Sequence, residues 1–255
     1  MRFASAHAAI ALAALALTAC STQPADPATH PSSEGVVAPA EKREPLLLFT
    51  SLPIYWSEGG VGDLLSSTAP VHWARTALET RYDLTPLDTL TALPENGVLL
   101  MAQPRALSGD ENVALDDFVR RGGRVVMIVD PMLDVHSAYG FGDRRRPEAI
   151  SMLSPILGRW GLRLVHDDRE AHEASWNGVT IPVEEGGLFE LTDTGHDSRC
   201  HLSSGGLVAR CNVGAGKVML LADATFLADG DHAGQAADTV LFDLIDAAST
   251  PPSAP

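Results

Sequence analysis

Short apolar runs recur through the middle of the chain, and most are followed by a stretch whose apolar positions return at helical spacing. The runs at Leu46–Leu52, Asp83–Leu87, Val98–Ala102, Val125–Val129, Leu162–Val165 and Val218–Ala222 have the length of strands. Several are apolar at every position, as strands covered on both faces must be. The helical spacing predicts helices over Val71–Arg81, Ser108–Arg121, Ile150–Trp160 and Ala237–Ala248. Helix Ser108–Arg121 carries the clearest signals. Ser108 with Glu111 makes a capping box, Leu115, Phe118 and Val119 share one face, and Gly122-Gly123 ends it. Strands alternating with helices predict an α/β fold, a doubly wound and mostly parallel sheet joined by right-handed crossovers.

A β-hairpin is expected near the C-terminus, with Gly205-Gly206 as a two-residue turn. Its register sets Ser204 opposite Leu207, Leu202 opposite Ala209 and Cys200 opposite Cys211. Opposed Cα atoms in such a ladder are about 4.5 to 5.5 Å apart, so Cys200 and Cys211 are expected to form a disulfide in an oxidising compartment. Gly214-Ala215-Gly216 precedes a strand and reads as a turn, not a phosphate loop.

The amino terminus has a different pattern. Met1-Arg2 leads into an Ala/Leu/Ile run from Ala8 to Leu17, and Leu17-Thr18-Ala19-Cys20 follows. At about 10 residues the run is too short to span a hydrocarbon core of about 30 Å, and it reads as a secretion signal. The tetrapeptide resembles a bacterial lipobox. That resemblance implies diacylglycerol on the Cys20 thiol, cleavage before Cys20, acylation of the new amino group, and hence a stable membrane anchor. Ser21 in place of Asp implies, by the sorting pattern of Gram-negative lipoproteins, the periplasmic side of the outer membrane. An ordinary signal peptide with an incidental Cys20 is the alternative. The expected plan is a signal peptide over 1–19, the lipidated Cys and a flexible Ser/Thr/Pro/Ala tether over 20–44, the α/β domain over 45–248 and a disordered tail over 249–255. Such a tether spans roughly 25 to 30 Å.

Charge narrows the partners. Lys and Arg number 18 against 33 Asp and Glu, a net charge of −15 that repels phosphate backbones and argues against nucleic acid. At 5% aromatic residues the chain has few stacking platforms for single-stranded nucleic acid or sugars. Asp143-Arg144-Arg145-Arg146-Pro147 is the one dense basic run, either paired internally or facing an anionic partner. His166 and His172, with Asp167, Asp168, Glu170 and Glu173, read as a hydrated acidic loop, and no metal or cofactor is expected.

A polar set falls at the carboxyl ends of the expected strands, the edge where open α/β sheets bind ligands: Ser51, Gln103, Arg105, Asp130, Asp223 and Thr225. Arg105 suits a carboxylate and Gln103 an amide. The same residues equally suit a purely structural role, with Gln103-Pro104 and Asp130-Pro131 ending strands.

The run Leu99–Ser108, then Arg121-Gly122-Gly123-Arg124-Val125 and Asp130-Pro131, resembles the auxiliary domain of the gliding-motility and ABC-transport family, GldG-like. Gly216–Leu227, with Lys217 where the family has Arg, is similar to its closing strand. The resemblance covers about residues 45 to 245. It implies a flavodoxin-like arrangement of the class I glutamine-amidotransferase type, although a lipid anchor stands here in place of the family's transmembrane helices. An active amidotransferase needs a Cys nucleophile at a strand-to-helix elbow. Gln103-Pro104-Arg105 occupies that place, no Gly-x-Ser-x-Gly occurs, and no catalytic residue is assigned. The expected function is a non-catalytic periplasmic lipoprotein that binds a ligand or partner beside an ABC-type envelope transport system. An envelope hydrolase using the strand-end carboxylates and a structural envelope scaffold are the alternatives.

Overall fold

In chain order the computed structural model contains β1 (Glu44–Thr50), α1 (Trp73–Arg81), β2 (Tyr82–Pro86), β3 (Val98–Ala102), α2 (Gly109–Arg120), β4 (Arg124–Ile128), α3 (Ser154–Trp160), β5 (Leu162–His166), β6 (His172–Trp176), β7 (Val179–Val183), β8 (Gly187–Leu191), β9 (Ser198–Ser203), β10 (Val208–Val213), β11 (Gly216–Leu221), α4 (Thr225–Ala228) and α5 (Gln235–Ser249). It describes residues 43–58, 71–169, 171–228 and 235–249, which fall in one compact unit beginning at Lys42. The expected signal peptide, Cys20, nearly all of the tether and the tail beyond Ser249 lie outside the described residues. The folded part exceeds the expected 45–248 by one residue at each end, since Glu44 opens β1 and Ser249 closes α5.

The main sheet has the order β2-β1-β3-β4-β11-β10-β9. Its first five strands are parallel, and β10 and β9 extend it antiparallel. Every side chain of β3 is buried, as are nearly all of those of β4 and β11. Neighbouring side chains on a strand point to opposite faces, so both faces of the sheet centre are covered. Helix α2 closes one connection. Ser108 accepts from the Glu111 amide while Glu111 accepts from the Ser108 amide, and Leu115, Phe118 and Val119 are fully buried. The end of this helix meets the start of β11 so closely that a Cβ on Gly216 would collide with the Val119 carbonyl.

Two expectations are corrected. Leu162–Val165 does not enter the main sheet: β5 pairs antiparallel with β8 alone, and β6 with β7 forms another two-stranded sheet. The reason is in the residues, because Arg163 and His166 are polar positions that a strand buried on both faces cannot hold. The hairpin turn is also different. Ser204–Gly206 make one 3-10 turn instead of a two-residue turn, with Gly205 at φ 67° and Gly206 at φ 99°. The register is as expected nonetheless, with Leu202 opposite Ala209 and Cys200 opposite Cys211, and a disulfide joins the two cysteines.

Candidate functional site

The chain leaves each parallel strand at the same edge of the sheet, where most of the polar residues singled out in the sequence are tied into the protein. Gln103 stands just beyond β3 at φ 38° and is fully buried. Its Oε1 accepts from the Asp130 amide at 2.8 Å, and its Nε2 donates to the carbonyls of Asp130 at 3.1 Å and Glu148 at 3.0 Å. Ser51 donates to the Gln103 carbonyl at 2.5 Å and accepts from the Glu148 amide at 3.0 Å. The polar atoms of Gln103 and Ser51 thus join β1, β3 and the chain after β4, while Ser51 also lines the cleft described below.

Arg105 is tied into the protein in the same way. Its guanidinium grips Glu111 with two bonds, of 2.9 and 2.7 Å, and also donates to the carbonyls of Asp88 and Ala106. Glu111 is the acid of the capping box and accepts from the Ser108 and Leu90 amides as well. Arg105, and after it these amides, hold the Glu111 carboxyl far below the usual range. Arg105→Ala is expected to destabilise the fold by about 1 to 3 kcal/mol, less than the roughly 3 to 5 kcal/mol of a fully buried pair because the Arg105 side chain is 42% exposed. Thermal unfolding with Arg105→Lys alongside checks this, since lysine cannot restore the fork. An unchanged midpoint for both variants contradicts the bracing role.

Asp130 and Asp223 follow neighbouring strands β4 and β11 and are both fully buried. Asp130 accepts from the amides of Met132 at 2.8 Å and Ala224 at 3.3 Å. Asp223 accepts from Thr225 at 2.9 Å and Glu184 at 3.2 Å, and the Thr225 hydroxyl donates to the Glu184 carbonyl. Burial pushes Asp130 up to about 6. Burial first, and then the charge of Asp130, push Asp223 up to about 7. Such values suit proton transfer near neutrality, but neither carboxyl faces solvent.

An open cleft does lie at this edge, where strand order reverses between β1 and β3, the position at which sheets of this class take ligands. Its volume is about 750 Å³, within the range of small-molecule pockets. Tyr55, Trp56, Glu58 and Tyr139 line it together with Arg105 and Arg144–Arg146. The sequence reading missed the segment from Tyr55 to Glu58. The available signal was position alone: these residues leave the first strand, which in a parallel sheet of this order borders the switch point. Low aromatic content concealed the clustering, because a composition is an average over the whole chain.

A second recess of about 640 Å³ is lined by Asp134, His136, His166, Asp167, Glu184 and Thr225, among others. Asp167 is paired with Arg169, and among the described residues no three His, Cys, Asp or Glu side chains gather as a cation site. Glu170, part of the acidic stretch, lies outside the described residues.

Residues 65–186 match the model of a family described as ABC-type uncharacterized transport system, an auxiliary domain. No curated protein matches the chain. Among solved structures, the mmIFT52 N-terminal domain is similar over 83% of this chain and 100% of its own, with a TM-score of 0.51 and 13% identity, a likeness of fold alone. A ThuA-like protein from Parabacteroides merdae (TM-score 0.41, 11% identity) is covered over 91% of its length by 82% of this chain. The GH42 β-galactosidase Gan42B (TM-score 0.46, 13% identity) aligns with 83% of this chain, which spans only 31% of that enzyme.

Proposed function

We propose that this chain is a lipid-anchored envelope protein that serves an ABC-type transport system by recognition, with the switch-point cleft as its binding surface. One observation carries the reading. The strand-end groups suited to chemistry, Asp130 and Asp223, are sealed from solvent and capped by backbone amides, whereas the cleft beside them is open and carries arginine and aromatic side chains at its rim. Arg, Tyr and Trp are the side chains that most often dominate recognition energetics. The family match over residues 65–186 supports a transport context. The Leu17–Cys20 lipobox and Ser21 support anchoring at Cys20 on the periplasmic side of the outer membrane.

The raised values of Asp130 and Asp223 favour one rival, a hydrolase that opens this edge to admit substrate. A photo-crosslinker placed at Trp56 in cells separates the two. Cross-links to periplasm-facing subunits of an ABC-type system, such as its permease, are the expected result. Hydrolysis of an envelope substrate that disappears in folded Asp223→Asn protein, without such cross-links, overturns the proposal. The anchor is tested apart from this: Cys20→Ala is expected to abolish incorporation of labelled palmitate, and persistent labelling refutes lipidation there.

A further inference from the structure

The basic run and Arg105, separated in sequence by α2 and β4, line one cleft. Four of the 18 Lys and Arg residues line it, against three of the 33 Asp and Glu, so the lining is richer in cations than the chain as a whole. Two of the four guanidinium groups are already neutralised, Arg105 by Glu111 and Arg145 by Asp143. The other two are not. Arg146 donates to the carbonyls of Tyr139 at 2.8 Å and Val135 at 3.3 Å, which orient it without cancelling its charge. Arg144 is exposed and bonds to none of the described residues.

The loop that carries them is preorganised. Asp143 accepts from the Arg145 amide and guanidinium, Arg145 lies over the Tyr139 ring at 4.2 Å, and Arg146 lies over Phe141 at 4.7 Å. Of the two uncancelled cations, Arg146 is thereby fixed before binding and loses little freedom on binding. Among the three carboxylates of the lining, Glu58 is the one with a hydrogen bond to its side chain from the described residues. Glu58 accepts from the Ser137 hydroxyl and the Ala138 amide, and Asp88 adds to the field around Arg105. Glu148 is tied through its backbone to Ser51 and Gln103. The accessible apolar lining is Pro53, Tyr55, Trp56, Pro86 and Leu87, beside the buried Leu48, Phe49 and Leu52.

We propose that the switch-point cleft binds a small amphiphilic anion, a carboxylate or phosphate monoester on an apolar body, with Arg144 and Arg146 taking the anionic head and the accessible apolar lining around Tyr55, Trp56 and Leu87 taking the body. This rests on the reading of the cleft as the recognition site and names what it recognises. A free ligand is preferred to an anionic bilayer, because a chain of net charge −15 is repelled by such a surface as a whole.

Decanoate, decyl phosphate and decanol, each below its micelle concentration, are the probes, titrated into the full chain carrying Cys20→Ala. Trp56, 70% exposed at the rim, reports by fluorescence, and calorimetry reads the same titrations independently. Decanoate or decyl phosphate is expected to bind at least tenfold more tightly than decanol. Arg144→Gln, which removes no internal bond, is expected to weaken the anions five- to tenfold and leave decanol unchanged. Arg146→Gln is expected to act likewise, with its melting temperature recorded because it also releases two carbonyls. Equal binding of decanol and decanoate, no saturable binding of either anion, or wild-type affinity in the Arg144→Gln/Arg146→Gln double variant overturns the proposal. Sedimentation with phosphatidylglycerol vesicles in the absence of monomer uptake also overturns it, by moving the same chemistry to a bilayer. Transport cross-links that persist while anion binding fails overturn only this inference. Anion binding without transport cross-links overturns only the transport role.

Discussion

Gln103→Ala is expected to destabilise the protein by about 3 to 5 kcal/mol, among the largest effects of any single side chain at the sheet edge. The substitution leaves the Asp130 amide and the carbonyls of Asp130 and Glu148 without the side-chain partner they have now. The Asp130 carbonyl keeps the Ser151 amide, so two groups are orphaned, each at about 1 to 3 kcal/mol, and partial relaxation keeps the total below the full sum. Gln103→Gly loses the same three bonds but relieves the φ of 38°, so it is expected to be about 1 kcal/mol less damaging than alanine. Urea unfolding of the three proteins checks both statements. A loss below about 1 kcal/mol for Gln103→Ala means that water substitutes for the amide and that the edge is wetter than its burial indicates.

Stability is expected to fall as pH rises from 6.5 to 8. Asp130 and Asp223 have folded values of about 6 and about 7, above the value near 4 of an unfolded aspartate. Between those limits the folded state holds protons that the unfolded state has released, so raising pH favours unfolding. The contribution of the Asp223 proton is complete below about pH 4 and lost through about pH 7. The whole swing for this group is about 4 kcal/mol, of which about 1 kcal/mol falls between pH 6.5 and 8. Other groups act in the opposite sense but at lower pH. Arg105 holds Glu111 low and Arg169 holds Asp167 low, which removes stability only in acid. Burial lowers His72, which acts below about pH 6.5. Asp223→Asn is expected to flatten the pH profile between 6.5 and 8. The amide also loses one of the two backbone bonds of the carboxylate, so its stability at pH 5 is expected to be below wild type. A wild-type profile that is flat or rising above pH 6.5 contradicts the raised values.

What was legible in the sequence follows from range. β3, β4 and β11 are runs of apolar residues, so burial on both faces could be read without knowing their neighbours. The capping box Ser108/Glu111 and the Cys200/Cys211 register are set by residues close in the chain. β6, β7 and β8 were not drawn because five residues with mixed burial and a Pro at 182 carry no strong period. Gln103 was singled out, but its partners lie 27 and 45 residues away, a distance at which no pattern indicates which group it meets. Arg105 differs in this respect. Its partner Glu111 is six residues on and had already been assigned to the capping box, so their pairing was within reach of local reasoning. The cleft needed the strand order, which the alternation of strands and helices does not specify.

The pairing of β4 with β11 has a consequence for how the protein reaches its fold. Ile128 and Leu221 are register partners, but the chain between them first builds α3, two separate antiparallel sheets and the disulfide-bearing hairpin. Closing a loop of about 90 residues costs entropy before any contact repays it, while β1, β2 and β3 meet across much shorter connections. Assembly is therefore biased in order: the amino-terminal strands and α2 form a template, and β11 docks last, bringing its antiparallel strands with it. Until that happens β4 presents an open edge, apolar from Val125 to Ile128. That edge is then the part of the chain most in need of a chaperone.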